Sequence, residues 1–347
     1  MAQKIKKKIF ILSIILTLIG IVILYSASTY QGLKIFNDPY YFLKKQIFYF
    51  LILAIPGFIF FNRIPEKTLK KFSFLILGIN FIALIAVLIL NSGGIKRWLY
   101  IGKFSIQPAE FFKFAFLLYF SFYLNEKLTF SKFMKFFIIL ILSLILILAE
   151  KSFSNSLILF LIGVSIFLRS NFQIRRILFI FLPLILVIII GFFGASYRVE
   201  RIKKFLEGGE IFWQISESKN AIISGGLLGK GLGNGKIKLF LPQAYNDTIF
   251  AVIGEEFGFL GSFFILLIFY LFLKNILKIS FQEKNNFLSI YAFGFFIWMF
   301  SQIYIHIAVV IGIIPPTGVN LPFFSYGGSF LVSTLWALGV LLRKIQI

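Results

Sequence analysis

Long hydrophobic runs recur along the whole 347-residue chain and restrict its fold more than any other feature. A hydrocarbon core about 30 Å thick is crossed by roughly 20 apolar residues in a helix, and runs of about this length recur from end to end. Since 59% of the residues are hydrophobic, a water-soluble domain with one buried core is excluded. The predicted spans are 9–27, 44–61, 72–90, 107–124, 136–150, 154–169, 177–195, 248–273, 287–311 and 328–342.

The sequence therefore predicts an all-α polytopic membrane protein, one domain over residues 1–347 with about ten transmembrane helices. Lys and Arg residues give a formal net charge of +22, and many of them gather in alternate short loops. By the positive-inside rule these loops and both termini are cytoplasmic. The opposite side then carries one large extracytoplasmic loop, about 196–247. Because the positive charge is divided among loops, we expect no nucleic-acid binding.

The N-terminal run can also be interpreted as a cleaved signal peptide, because small residues follow it at Ser26, Ala27 and Ser28. The run 9–27 is long enough to span, however, and its removal would leave an odd number of helices. We therefore expect it to be the first span. The chain has no cysteine, so disulfides and thiolate chemistry are excluded.

Two predicted outer loops, 91–106 and 196–246, carry more positive charge than the orientation rule favours. One explanation is that long translocated loops tolerate such charge. The other is that these cations bind an anionic ligand at the outer membrane surface, such as a lipid phosphate or pyrophosphate. The glycine-rich run 225–235 fails the spacing of a P-loop, so ATP binding is not expected. We interpret that run as flexible, cationic backbone able to approach a lipid head group closely.

Asp247 is the candidate catalytic residue, because it is a lone carboxylate where the large loop meets the span 248–273. An ionisable group at the mouth of a membrane helix is costly and marks a functional site. Its alternative role is to cap that helix. Glu255 and Glu256 lie one to two turns deeper, and we expect them to hold helices together through polar contacts.

Glu110 and Lys113 lie three residues apart in the span 107–124 and can pair on one helix face. Either the pair merely lets two charges enter the bilayer, or Lys113 also faces a substrate cavity. The last outer loop, 312–327, contains too many prolines and glycines for regular helix, so it should be an ordered or re-entrant loop that lines a cavity. His306, the only histidine, is expected to pack inside its span.

Four motifs in order along the chain resemble those of the SEDS proteins, the FtsW and RodA group of peptidoglycan polymerases. The motifs are 96–98 with 107–110, 213–218, 241–261 and 325–329. The stretches 25–28 and 253–256 are more similar to FtsW than to RodA.

The resemblance implies a ten-helix enzyme of the bacterial cytoplasmic membrane that polymerises lipid II into glycan strands on the outer face. A hydroxyl of one lipid-linked sugar would attack the anomeric carbon of another and expel an isoprenyl pyrophosphate. Asp247 would be the general base of this reaction. The candidate residues for binding substrate and pyrophosphate are Arg97, Glu110, Lys113, Arg198, Arg201, Lys230, Ser325 and Gly327.

No cofactor and no protein-held metal site are predicted, although a divalent cation, Mg²⁺ or Mn²⁺, could neutralise the leaving pyrophosphate. The implied partner is a class B penicillin-binding protein, a transpeptidase, together with the proteins of the divisome or elongasome. Likeness to FtsW favours a role in cell division.

The chain departs from the pattern of the family close to Asp247. The family usually has Glu, His, Thr and an aromatic residue where this chain has Gln243, Tyr245, Asn246 and Thr248. The stretch 151–155 lacks a carboxylate and a glycine of the family, after a retained Glu150. One alternative is therefore a scaffold of low activity for the partner transpeptidase. Another is a flippase or transporter of the lipid-linked precursor, which the scarcity of charge deep inside the spans disfavours.

Overall fold

The structure, a computed structural model, describes residues 2–90, 97–102, 104–125, 129–170, 200, 203 and 210–344. The helices are α1 (Ala2–Phe36), α2 (Tyr41–Tyr49), a π-helical turn (Phe50–Ala54), α3 (Ile55–Arg63), α4 (Glu66–Leu90), α5 (Pro108–Tyr123), α6 (Phe130–Ala149), α7 (Phe153–Arg169), α8 (Glu210–Gly225), a 3-10 turn (Ile237–Leu239), α9 (Ile249–Gln282), α10 (Asn286–Val310) and α11 (Gly328–Leu341). A short antiparallel hairpin, β1 (Leu99–Ile101) and β2 (Phe104–Ile106), pairs Leu99 with Ile106 just before α5.

Helices occupy every predicted span except 177–195, which lies outside the described residues. Six helices within the described part are long and apolar enough to cross a membrane, one of them the continuous helix Tyr41–Arg63. Two shorter apolar helices, α7 and α11, accompany them. The chain is therefore a multi-pass membrane protein, as its hydrophobic runs predicted.

Helices α1 and α9 are longer than the spans predicted for them, with 35 and 34 residues. At about 1.5 Å per residue each is about 50 Å long, whereas the hydrocarbon core is about 30 Å thick. Both helices therefore project beyond the bilayer. The predicted spans 9–27 and 248–273 stop before the C-terminal ends of these helices, at Phe36 and Gln282. The reason is that hydrophobicity marks only the part of a helix that lies in lipid.

Helix α5 lies at the centre of the described bundle, in contact with α4, α6, α7, α10 and α11. Most of its side chains are buried around the whole circumference, as expected of a helix that is apolar on all sides. Gly294 of α10 lets neighbouring side chains approach, since a Cβ there would lie 2.6 Å from Ile166. This tight packing carries Glu110 and Lys113 into the interior.

The two ends of the described chain lie on the same side of the bundle. The Gln3 side chain donates to the Lys344 carbonyl at 2.9 Å, and the Lys6 ammonium donates to the Arg343 carbonyl at 2.9 Å. Asn62, at the end of α3, donates to the Leu342 carbonyl at 2.7 Å. The shared side of the two termini agrees with the even number of predicted spans.

Helix α9 is kinked at Gly258, whose φ of 63° and ψ of −162° are not helical. The residues 225–235, here called the glycine turn, pack against this kink main chain to main chain. The hydrogen bonds are Phe259 N–H to Gly226 O at 2.8 Å, Leu260 N–H to Leu227 O at 3.1 Å, Lys230 N–H to Glu255 O at 3.0 Å and Gly231 N–H to Glu256 O at 2.9 Å. A Cβ at Gly229 would overlap the Glu256 carbonyl. The interpretation of this run as flexible backbone was therefore wrong.

Candidate functional site

Asp247 lies in the turn that leads into α9 and is half-buried. Its main-chain N–H donates to the Gln243 carbonyl at 3.1 Å. The N-cap position of α9 is Thr248, whose side chain makes no capping hydrogen bond, and Asp247 precedes it by one residue. The carboxylate faces the loop 312–327, because a Cβ at Gly318 would lie 3.5 Å from Asp247 Oδ2.

Two hydrogen bonds join the loop 312–327 to the residues just before Asp247. The Tyr326 N–H donates to the Tyr245 carbonyl at 2.9 Å, and the Ser325 hydroxyl donates to the Asn246 carbonyl at 2.8 Å. The same hydroxyl accepts from the Leu321 N–H at 2.8 Å. The structure thus brings Ser325 next to the Asp247 segment, where its hydroxyl holds the loop in place.

Three buried or half-buried side chains from other elements fix the rest of this loop. The Ser154 hydroxyl, at the start of α7, donates to the Thr317 carbonyl at 3.2 Å. His306 Nδ1 lies 2.7 Å from the Val319 carbonyl oxygen, which confirms a packing role. The side chain of Gln46 in α2 accepts from the Gly327 N–H at 3.2 Å. The candidate residue Gly327 therefore acts here through its main chain.

An aromatic cluster lies beside the Asp247 segment. The ring of Phe42 stacks on Tyr245 with centroids 4.1 Å apart and meets Tyr326 edge to face at 5.2 Å. Burial raises the pKa of the Tyr245 hydroxyl, and the negative charge of Asp247 raises it further. The phenol therefore stays protonated.

Lys113 is completely buried in the centre of the bundle. Its ammonium lies 2.8 Å from Glu110 Oε2 and donates to Asn155 Oδ1 at 3.0 Å. It also lies over the rings of Trp298 at 5.4 Å and Phe330 at 5.9 Å, a favourable cation–π arrangement in a dry site. The predicted pair of Glu110 and Lys113 is confirmed, and its surroundings favour a structural role.

Arg97 holds the end of α6. Its Nε donates to the Glu150 carbonyl at 3.3 Å, and its Nη2 donates to the Lys151 carbonyl. A cation at the C-terminus of a helix stabilises the exposed carbonyls of the last turn. Arg97 thereby connects the segment before the hairpin to the turn between α6 and α7, which leads into Ser154 at the start of α7.

The Glu150 carboxylate is fully buried, and neither of its oxygens has a hydrogen-bond partner among the described residues. Burial raises its pKa from 4.5 to about 8, although the positive charge of Arg97 opposes the shift. Between these two values the unfolded chain is ionised while the folded chain holds a proton. The free energy of unfolding should therefore fall as the pH rises through this window.

Glu150→Gln should remove this pH dependence, because an amide does not titrate. Relative to wild type, we expect the variant to gain roughly 5 kcal/mol of unfolding free energy from the lower to the upper end of the window, given about 1.4 kcal/mol per pKa unit. Thermal unfolding of both proteins in detergent micelles across this pH range measures the effect. Glu217→Gln, on the surface of α8, is the control. Equal pH dependence in wild type and Glu150→Gln would contradict the prediction.

Lys230 lies on the glycine turn and pairs with Glu255 Oε1 at 3.0 Å. Glu255 also accepts main-chain N–H groups of Lys236 at 2.8 Å and Ile237 at 2.9 Å. Glu256 accepts from the Ser26 hydroxyl of α1 at 2.6 Å and pairs with Lys238. The expectation that both glutamates hold elements together is confirmed. Arg198 and Arg201, two further candidate cations, lie outside the described residues.

Gly318→Ala should lower turnover, and the loss should be larger than the loss of folding stability alone would cause. Gly318 has a φ of 65°, which costs an L-residue roughly 1–2 kcal/mol, and the new methyl group would occupy the space beside the Asp247 carboxylate. Gly102→Ala is the matched control, because Gly102 has a φ of 59° and open space around it. Unfolding temperature and turnover of both variants test this, and equal turnover would contradict it.

Sequence reasoning missed Gln46, Phe42 and Ser154 as parts of this site. A signal existed for Gln46, since a buried amide inside an apolar span needs a partner. The contacts of Phe42 and Ser154 join segments far apart in the chain, so local spacing gave no indication of them.

The chain is similar over residues 6–346 to the FtsW/RodA/SpoVE family, described as cell cycle proteins. It is 38% identical to the probable peptidoglycan glycosyltransferase FtsW of Wigglesworthia glossinidia brevipalpis, over 97% of this chain and 92% of that protein. It is 34% identical to the protein of the same name from Borreliella burgdorferi, over 94% and 93%. Stage V sporulation protein E of Bacillus subtilis is 35% identical, over 96% and 94%.

Two solved structures share the fold. A chain of a peptidoglycan synthase complex superposes with a TM-score of 0.78 at 21% identity, over 96% of this chain and 95% of that one. The rod shape determining protein RodA of Thermus thermophilus superposes with a TM-score of 0.71 at 20% identity, over 96% and 94%. At these identities the likeness concerns the fold.

Proposed function

The chain belongs to the FtsW/RodA/SpoVE family of cell cycle proteins, and from this premise we propose that it is a peptidoglycan glycosyltransferase. The enzyme polymerises lipid II into glycan strands at the outer face of the bacterial cytoplasmic membrane, during cell division. The names of its relatives support the activity and the division role. The observation that carries the proposal is the position of Asp247, half-buried at the entrance of α9 and enclosed by an ordered loop.

In the proposed reaction Asp247 acts as general base. The carboxylate takes the proton of the attacking sugar hydroxyl while that oxygen bonds to the anomeric carbon of a second lipid-linked sugar. The bond between that carbon and the pyrophosphate oxygen breaks, and isoprenyl pyrophosphate leaves with the electron pair. The Gly318 position, without a side chain, leaves room for a hydroxyl beside Oδ2.

The leaving pyrophosphate needs positive charge close by. Lys113, Arg97 and Lys230 already have protein partners at short distance. Arg198 and Arg201 remain candidates from the sequence. Within the described residues, no three His, Asp or Glu side chains converge as a metal ligand set.

The departures at Tyr245 and Asn246 are compatible with catalysis in this chain. Both residues accept the hydrogen bonds of the loop 312–327 through main-chain carbonyls. A different side chain at either position leaves these bonds intact. These intact main-chain contacts favour the enzyme over a low-activity scaffold.

We further propose that the enzyme works with a class B penicillin-binding protein in the divisome. A structural relative was solved as part of a peptidoglycan synthase complex, which supports a partner of this kind. Lipid II itself supplies both the sugar and the lipid, so no nucleotide sugar is needed.

Reconstitution in liposomes with labelled lipid II tests the proposed function. We expect purified wild-type protein, with its matching transpeptidase present, to form glycan strands that a muramidase degrades. If the label only crosses the bilayer, the protein is a flippase. If neither strand synthesis nor transbilayer movement occurs, the scaffold alternative is correct and the enzyme proposal fails.

A further inference from the structure

A cavity of about 300 Å³ opens between α1, α11 and the helix Tyr41–Arg63. Its volume is at the lower end of the range for small-molecule sites, roughly 300–1,000 Å³. Because all three elements are apolar membrane helices, the cavity lies at the depth of the hydrocarbon core. Its walls include Phe10, Ile14, Leu18, Phe50, Phe58 and Leu335.

The cavity offers no polar group to a ligand. Its two polar wall residues are Ser13 and Thr17. The Ser13 hydroxyl donates to the Phe10 carbonyl at 2.7 Å, and the Thr17 hydroxyl donates to the Ser13 carbonyl at 2.7 Å. Both hydroxyls are thus satisfied within α1, and the occupant that fits such walls is an apolar chain.

The π-helical turn Phe50–Ala54 shapes one wall of the cavity. Such turns inside α-helices occur frequently at functional sites. The Leu53 carbonyl accepts from the indole N–H of Trp336 at 3.0 Å, and a Cβ at Gly57 would overlap that indole. The shape of this wall is therefore maintained by the protein itself.

A second cavity of only about 10 Å³ lies beside the first, on the side of the candidate site. The two cavities share Thr17, Ile21 and Phe50, and the second one reaches Gln46 and Phe323. The two adjacent cavities are together called the α1 groove here. Its α1 wall runs from Phe10 to Leu24, fifteen residues with a rise of about 21 Å at about 1.5 Å per residue.

The end of the α1 groove that is lined by Gln46 and Phe323 lies beside the loop 312–327, which faces Asp247. Gln46 donates to the Ser325 carbonyl at 3.4 Å and accepts from the Gly327 N–H. Ser325 in turn bonds to the Asn246 carbonyl, one residue before Asp247. The groove is thus continuous with the contacts that build the candidate site.

We propose that the α1 groove holds part of the isoprenyl chain of a lipid-linked substrate whose sugar–diphosphate head lies at Asp247. This inference rests on the proposed function. An apolar groove that begins at the site and descends into the membrane suits a ligand with one polar end and one long apolar chain. The walls supply apolar contact along the chain, while the loop 312–327 and Asp247 meet the head.

Filling the groove tests the proposal. Ile14→Trp and Leu18→Trp put bulk into the cavity from partly exposed positions of α1, where folding should tolerate it. We expect the KM for lipid II with a full-length isoprenyl chain to rise about tenfold, equivalent to about 1.4 kcal/mol, with little change for a short-chain analogue. Ile82→Trp, on the exposed side of α4, is the matched control and should change neither KM.

Photo-crosslinking identifies the occupant directly. With benzoylphenylalanine at Leu18 in the full chain, we expect an adduct with lipid II that unlabelled lipid II suppresses and excess phosphatidylglycerol does not. An adduct with phosphatidylglycerol alone, or an unchanged KM in both Trp variants, would contradict the proposed groove. If wild type still makes glycan strands in that case, the proposed enzymatic function stands. Crosslinking to lipid II without any strand synthesis would instead contradict the proposed enzymatic function.

Discussion

Asp247→Asn is expected to lower the rate of glycan-strand synthesis about 10²- to 10⁴-fold, the usual contribution of a general base. The amide has nearly the same shape as the carboxylate but cannot accept the proton of the attacking hydroxyl. The main-chain hydrogen bond from Asp247 to Gln243, and those that join Tyr245 and Asn246 to the loop 312–327, do not involve this side chain. The fold should therefore persist.

Turnover of labelled lipid II in liposomes measures the effect, and the unfolding temperature of the variant confirms that it is folded. Asp38→Asn is the matched control. Asp38 pairs with Lys44 at 2.8 Å in the turn between α1 and α2, so its loss removes a carboxylate near the outer end of α1 without touching the site. Equal turnover in Asp247→Asn and wild type would show that another group takes the proton.

Lys113→Met is expected to destabilise the protein by about 3–5 kcal/mol, the usual cost of leaving one buried charge without its partner. Glu110 is only 4% exposed and would keep its charge in the interior of the bundle. The double variant Glu110→Gln with Lys113→Met removes both charges, and we expect it to recover most of the lost stability. Denaturant unfolding of wild type, both single variants and the double variant in micelles gives the coupling energy.

The same four proteins distinguish the two roles left open for Lys113. If the stable double variant still makes glycan strands, the pair serves only to hold α5 in place. If it is stable and inactive, the charge of Lys113 acts on the substrate. A double variant as unstable as Lys113→Met would contradict the pairing argument itself.

The nine predicted spans that fall on described residues are helical, because a membrane helix needs a long apolar run, and such a run is visible without knowledge of its neighbours. The pairing of Glu110 with Lys113 was predictable for a similar reason, since a spacing of three fixes their proximity on one helix. Helix α8 was not predicted. It lies in the large loop and carries too many polar residues for a hydrophobicity pattern to reveal it.

The candidate site was predictable at Asp247 and only partly around it. The carboxylate was conspicuous because it has few charged neighbours in the sequence. Its surroundings depend on contacts between distant segments, such as Gln46 with Ser325 and Ser154 with Thr317. In each of these contacts one partner is a main-chain carbonyl. The identity of a residue says little about where its carbonyl points.

The packing of the glycine turn on α9 has a consequence for which changes this region tolerates. Four main-chain hydrogen bonds set the register between residues 226–231 and the kink at Gly258. Such bonds are indifferent to side-chain identity, so residues such as Leu228 can be exchanged freely. Insertion or deletion of a single residue between 227 and 230 would put the bonds of residues 226 and 227 out of register with those of residues 230 and 231. Homologous chains should therefore vary in the side chains of the glycine turn while its length stays constant.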